Sequence, residues 1–281
     1  MSVLAYKVGT YLLKYSTVNQ HLINEMGIEP GYLVKRKPRD SLLHLLPKLQ
    51  EELPHRTMQD SNLSASIPLA KDIALQNKYV SVHGRVRIGK LLEDLDEFAV
   101  AVSYKYLHTP KRRLEDNSPY IIVTALVDKI SLNTHFVPKY LENIYISGYV
   151  SWVGKTSLEI TAMLEQENDG KMEIITAALF LMAARNATNT GSAFVNPLCA
   201  QNEEEEMSIR CGEERKKKRM YHSENSTLRK LPNDEEMNLI HGLFKKTVDL
   251  HDPRIYKPHL PKNCVWMNDA VYHNLFSGYP E

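Results

Sequence analysis

The chain has 281 residues, 43% of them hydrophobic, enough for one large or two small globular domains with a sizeable core. Its 35 Lys and Arg nearly cancel its 34 Asp and Glu, so the overall balance asks for neither nucleic acid nor an acidic membrane surface, and any anion site must be local. Cys199, Cys211 and Cys264 lie apart, with no CxxC or Cys/His ligand spacing, which argues against a zinc site and against a secreted disulfide framework; a reduced compartment fits.

No stretch approaches the roughly 20 apolar residues that a membrane-spanning helix needs. Residues 1–24 carry no acid, and Lys7 and Lys14 sit among Val3, Leu4, Val8, Tyr11, Leu12 and Tyr15. That weak amphipathic pattern has two readings, an organelle transit segment and an ordinary surface helix. A basic, proline-interrupted stretch follows from Tyr32 to Arg56, and residues 1–56 together are read as a leader to the domain. Met58 to Leu69 reads as a first strand and Asp72 to Lys78 as a loop.

From Ile88 the apolar residues Ile88, Leu91, Leu92, Leu95, Ala99, Val102 and Tyr106 recur at spacings of three and four, one face of a helix of about five turns. Lys90, Glu93, Asp94 and Glu97 fall on or toward the far side of that helix. Asp96 falls on the flank of the apolar stripe, where a carboxylate can border a buried cleft. Four strands are expected next: Tyr120 to Ile130, Asn143 to Val153, Thr156 to Gln166 and Met172 to Ala184. Gly154-Lys155 turns the second into the third. Asn168-Asp169-Gly170-Lys171 turns the third into the fourth, since Asp-Gly readily takes the positive φ angles of a type I′ hairpin turn. Beyond Asn189 the acidic run Glu203 to Glu206 and the block Glu213 to Arg219 read as a solvated linker helix with i,i+4 pairs. Asp234 to Lys246 reads as a further short helix.

One strand, one long helix and four antiparallel strands make an α+β order in which the sheet wraps around the helix, the hot-dog arrangement. The stretches Gly84-Arg85-Val86-Arg87-Ile88-Gly89-Lys90-Leu91-Leu92-Glu93-Asp94-Leu95-Asp96 and Gly148-Tyr149-Val150-Ser151-Trp152-Val153-Gly154-Lys155-Thr156-Ser157-Leu158-Glu159 resemble the first unit of the double hot-dog acyl-CoA thioesterases, in particular the mitochondrial acyl-CoA thioesterase 9 group. Asp252-Pro253 to Trp266-Met267-Asn268-Asp269 resembles that family's linker into its second unit. The resemblance places a thioesterase-like domain at residues 57–190, followed at 191–281 by a charged helical linker and the start of a truncated second unit.

The resemblance implies hydrolysis of acyl-CoA to a free fatty acid and CoA in the mitochondrial matrix. CoA enters as part of the substrate and no cofactor is implied. Such a site needs a carboxylate or amide to activate water and a helix N-terminus to hold the developing oxyanion. Asp96 matches the family's acidic helix residue. Arg85 stands where many hot-dog thioesterases carry Asn or Asp; it cannot act as a base near neutral pH, but its guanidinium suits a carboxylate or a CoA phosphate. The expected catalytic pair is therefore Asp96 and Arg85, and the expected CoA contacts are Arg87, Gly89, Thr156 and Ser157. His83 is a candidate proton carrier or a structural residue, and Trp152 reads as core.

In the double hot-dog enzymes the active site lies between two units, so a partner is expected, either another copy of the chain or a full-length subunit. A fragment of a longer protein, a self-pairing short form and a non-catalytic hot-dog module that binds CoA esters or a partner subunit are the competing expectations for a chain of this length.

Overall fold

The computed structural model describes residues 13–26, 39–113, 116–226 and 229–247. The chain divides into two compact units, Met1–Glu213 and Glu214–Glu281. The elements of the first are β1 (Leu13–Lys14), α1 (Tyr15–Met26), β2 (Arg56–Thr57), α2 (Met58–Ser61), β3 (Leu63–Ile67), α3 (Ile73–Tyr79), α4 (Ile88–Tyr106), β4 (Tyr120–Leu132), β5 (Ile144–Val153), β6 (Ser157–Asn168), β7 (Lys171–Asn186) and β8 (Leu198–Cys199). Two 3-10 turns, Asp40–Leu45 and Gln50–Glu52, connect α1 to β2. The helix α5 (Glu203–Glu224) runs across the boundary between the units, and α6 (Asp234–Thr247) belongs to the second. The segment resembling a family linker, Asp252 to Asp269, lies outside the described residues, as do Cys264 and residues 1–12.

Six strands form one sheet in the order β1-β3-β5-β6-β7-β4, antiparallel throughout except for the parallel pairing of β1 with β3. The sheet curves around α4, so the expected hot-dog arrangement is the observed one. Leu91, Leu95, Phe98, Ala99 and Val102 of α4 are wholly buried, facing Ile146, Val150, Ile160, Leu164 and Phe180 of the strands. Each of the Leu, Phe and Val side chains contributes about 1.5–3 kcal/mol by leaving water, which is why the three-and-four spacing fixes the orientation of the helix. The turn between β6 and β7 has Asp169 at φ 51° and Gly170 at φ 78°, as the Asp-Gly pair requires.

Three expectations give way. The strand foreseen from Met58 to Leu69 is shorter, because Thr57 and Asp60 form a capping box that winds Met58–Ser61 into a helical turn before β3 begins at Leu63. The loop foreseen at Asp72 to Lys78 is α3, nucleated by Asp72 accepting from the Leu75 amide at 2.9 Å. Residues 13–26, read as leader, build part of the core: Tyr15 and Val18 of α1 are 6% and 2% exposed and pack against α4.

The first half of α5 lies on Trp152, whose indole Nε1 donates to Glu213 at 3.2 Å. A Cβ at Gly212 would sit 2.4 Å from both Cβ and Cγ of Trp152, near its rigid base. Gly212→Ala would gain about 1 kcal/mol in an open helix, but here overpacking is expected to lower stability by about 1–3 kcal/mol, read as a shift in the denaturation midpoint.

Candidate active site

The approach to α4 is a tight turn. Gly84 at φ +68° occupies backbone space closed to most side chains, and Ser81 N donates to Arg85 O at 2.8 Å while Ser81 Oγ accepts from Arg85 N at 3.3 Å. Val86 then bridges to Val80, and Arg87 N donates to Tyr79 O at 2.7 Å. Arg87 is the N-cap residue of α4, and its own side chain makes no capping hydrogen bond there. The amides of Ile88, Gly89 and Lys90 therefore begin the helix without an intrahelical acceptor, in the arrangement that favours a negative charge. Arg85 and His83 are exposed; Arg87 and Gly89 are half-buried.

Asp96 is half-buried on the flank of α4. Its Oδ1 accepts from Thr124 Oγ1 at 2.7 Å, which ties the helix to β4. Thr124 went unnoticed in the sequence, where a threonine in an apolar strand needs no function. The next residue, Ala125, is skipped in the β4–β7 register, which passes from Thr124↔Met182 to Leu126↔Leu181. A bulge there bends the strand and changes the direction of its side chains. Asp96 is eight residues beyond the start of α4, about 12 Å at a rise of 1.5 Å per residue, so one unit does not bring its own helix N-terminus onto its own Asp96.

Thr156 and Ser157 sit at the turn from β5 to β6. Thr156 O accepts from Ala184 N at 2.9 Å and Ser157 O from Gly154 N at 2.8 Å, so both backbones serve the sheet. The register carries Thr124 through Met182 to Leu158. That places Ser157 one residue off the same cross-strand row, about 10 Å from β4 across two strand spacings. Trp152, read as core, is 3% exposed.

Asp94 corrects the sequence. It is expected on or toward the far side of the helix from the apolar stripe, and it is 1% exposed. Tyr79 Oη donates to its Oδ2 at 2.5 Å and Lys90 Nζ to its Oδ1 at 2.9 Å, while Tyr15 Oη donates to its backbone carbonyl at 3.0 Å and lies 3.0 Å from a Glu97 carboxylate oxygen. The far side of α4 is roofed by α1, so what looked like a solvent face is an interface. Burial pushes the Asp94 carboxyl above the usual carboxylate range, against the Tyr79 and Lys90 hydrogen bonds that hold it down. Among the described residues no group of three or more His, Cys, Asp or Glu is placed to hold a metal ion, and no helix is long and apolar enough to cross a membrane.

No protein-family model matches the chain. It is 41% identical over 250 residues to acyl-coenzyme A thioesterase 9, mitochondrial, of Mus musculus, a match covering 88% of this chain and 56% of that protein. The Homo sapiens protein of the same name is 38% identical over 252 residues, with the same coverage. Among solved structures, an acyl-CoA hydrolase from Staphylococcus aureus, in complex with butyryl coenzyme A, coenzyme A and coenzyme A disulfide, matches with a TM-score of 0.48 and 16% identity over 62% of this chain and 96% of that one. The chain thus spans a little over half the length of the curated relatives it matches. With its sheet wrapped around α4 and its Asp96–Thr124 seam, it is a hot-dog unit related in sequence, over 88% of its length, to the mitochondrial acyl-CoA thioesterase 9 group.

Proposed function

We propose that this chain is one unit of an acyl-CoA thioesterase of the mitochondrial matrix, hydrolysing acyl-CoA to a free fatty acid and CoA at a site completed by a second hot-dog unit. The observation that carries this reading is the half-buried Asp96 carboxylate held by Thr124 at 2.7 Å, on the terminal strand of the sheet among the described residues. With Thr124 bonded to one oxygen, the other is left to orient a water and take its proton as the water attacks the thioester carbonyl. The oxyanion then needs amides that this unit cannot place beside its own Asp96, and the start of a partner's α4 has them. Arg85 and Arg87 at that helix start suit the phosphates of CoA.

The pairing edge is β4. Beyond Ile122 it exposes Val123, Leu126, Val127, Ile130 and Leu132, each 37–51% accessible, on the terminal strand of the sheet. A terminal strand with open backbone groups and apolar side chains favours another strand as partner, and the relatives, with a chain nearly twice this match, have length for a second unit. Either a second copy or a longer subunit supplies it.

Arg85 in the place of Asn or Asp favours a second reading, a module that holds CoA esters without cleaving them. CoA release from acetyl-, octanoyl- and palmitoyl-CoA by the purified, paired chain separates the two. Release above the spontaneous rate is the expected result; a folded, paired chain that binds acyl-CoA and releases no CoA overturns hydrolysis and leaves the binding module.

A further inference from the structure

At a corner of the fold away from the main sheet, β2 and β8 pair as a short parallel ladder, Arg56 with Leu198 and Thr57 with Cys199. The ladder brings together two residues 144 positions apart: Cys199 Sγ lies 3.1 Å from His55 Nδ1, and both side chains are exposed. The platform beneath them is rigid. Asn196 is wholly buried, and its amide nitrogen donates to Pro54 O and to His108 O, each at 3.0 Å, while its Oδ1 accepts from His108 N at 2.9 Å. Arg56 N donates to Pro197 O at 2.9 Å, and Tyr106 Oη to Asn196 O at 3.0 Å. The residues immediately before His55 and three before Cys199 are thereby tied to each other, so the contact is built into the backbone.

We propose that Cys199 and His55 form a reactive thiol pair that exchanges with small-molecule disulfides, making Cys199 a reversible modification site. With the imidazole proton on Nε2, Nδ1 takes the thiol proton as Sγ attacks one sulfur of R–S–S–R. The Sγ–S bond forms as the S–S bond breaks, and the departing RS⁻ collects the proton from His55. One disulfide is consumed and one formed, with no further oxidant. A thiol becomes a nucleophile only as the thiolate, and an adjacent imidazole is a standard route to it. Disulfide exchange develops no oxyanion, so the pair needs no donor array. Arg56, half-buried over the Tyr106 ring at 6.0 Å and 3.8 Å from Asp60, is the cation of this corner, with Lys105 beyond it. The inference stands apart from the hydrolysis reading, since neither residue touches the Asp96 seam.

The test treats the full chain with oxidised glutathione and follows each cysteine by mass spectrometry of its peptide. Cys199 is expected to be modified first, at least about tenfold faster than in His55→Gln, with Cys211 and Cys264 unchanged between the two proteins. In His55→Gly, free imidazole should restore part of the lost rate. Equal rates in wild type and His55→Gln, or Cys211 or Cys264 reacting ahead of Cys199, would overturn the proposal. Both substitutions fall at an exposed position, and unchanged thermal unfolding verifies that the fold is intact.

Discussion

Asp96→Asn is expected to lower CoA release about 10²–10⁴-fold, the usual loss when a general base is removed, with little change in acyl-CoA binding. Asparagine keeps the shape and still accepts from Thr124, so the helix–strand seam at 2.7 Å survives and only proton transfer is lost. Thr124→Val should cost less, about tenfold, because the carboxylate remains but loses the hydrogen bond that aims it. Steady-state kinetics check both: a fall in kcat with KM nearly unchanged is the signature of a group acting in the chemical step. A rise in KM with kcat unchanged would instead make Asp96 a binding residue.

Lys90→Met should be the most destabilising single change near the site, about 3 kcal/mol, the lower end of what an unpaired buried charge costs because Lys90 is itself 32% exposed. It leaves the buried Asp94 carboxylate with Tyr79 and no cation. The pH dependence follows from the direction of the Asp94 shift. Its carboxyl is raised in the folded chain, so above the ordinary value of about 3.9 the folded state binds more protons than the unfolded one. Stability contributed by this group is therefore present at low pH and lost as pH rises through the folded value, and removing Lys90 extends that loss. The penalty of Lys90→Met should be small near pH 4 and full near pH 7, as read by urea denaturation at both. Tyr79→Phe, which removes one donor to Asp94, should cost about 1–3 kcal/mol.

Period and turn chemistry carried much of the fold. Ile88 to Tyr106 is a helix at the bounds its spacing indicates, and the four strands and the Asp169-Gly170 turn stand where alternation placed them. What failed has one cause in two places. Periodicity measures how apolar a helix face is, not what lies over it, and it says nothing of Tyr15 and Val18, which come from far earlier in the chain, Tyr15 lying 79 residues before Asp94, to roof α4. Asp94, on the side away from the apolar stripe, thus sits in a polar network under that roof. Short helical turns at Met58 and Ile73 were hidden because their caps, Thr57 with Asp60 and Asp72, are local signals weaker than the apolar runs around them.

The site divides along the same line. The half-buried position of Asp96 was legible because the flank of an amphipathic stripe is a property of one helix. Thr124 was not, since its meaning comes from a contact across 28 residues and from a bulge that no propensity announces. His55 and Cys199 are further still, joined only by a two-residue ladder. Arg85 was foreseen beside Asp96 in function, yet the helix separates them along its axis. On the proposed hydrolysis, the two roles meet only if one unit supplies the helix start and another the carboxylate.

That requirement gives the most direct test. The specific rate of CoA release from octanoyl-CoA is measured against protein concentration, with the pairing state followed by sedimentation in the same samples, for the wild-type chain and for Val127→Lys on the β4 edge. A site shared between units predicts that specific activity rises in step with the paired fraction and that Val127→Lys, staying monomeric, loses it. Constant specific activity in a monomer, or full activity in unpaired Val127→Lys, would contradict the account.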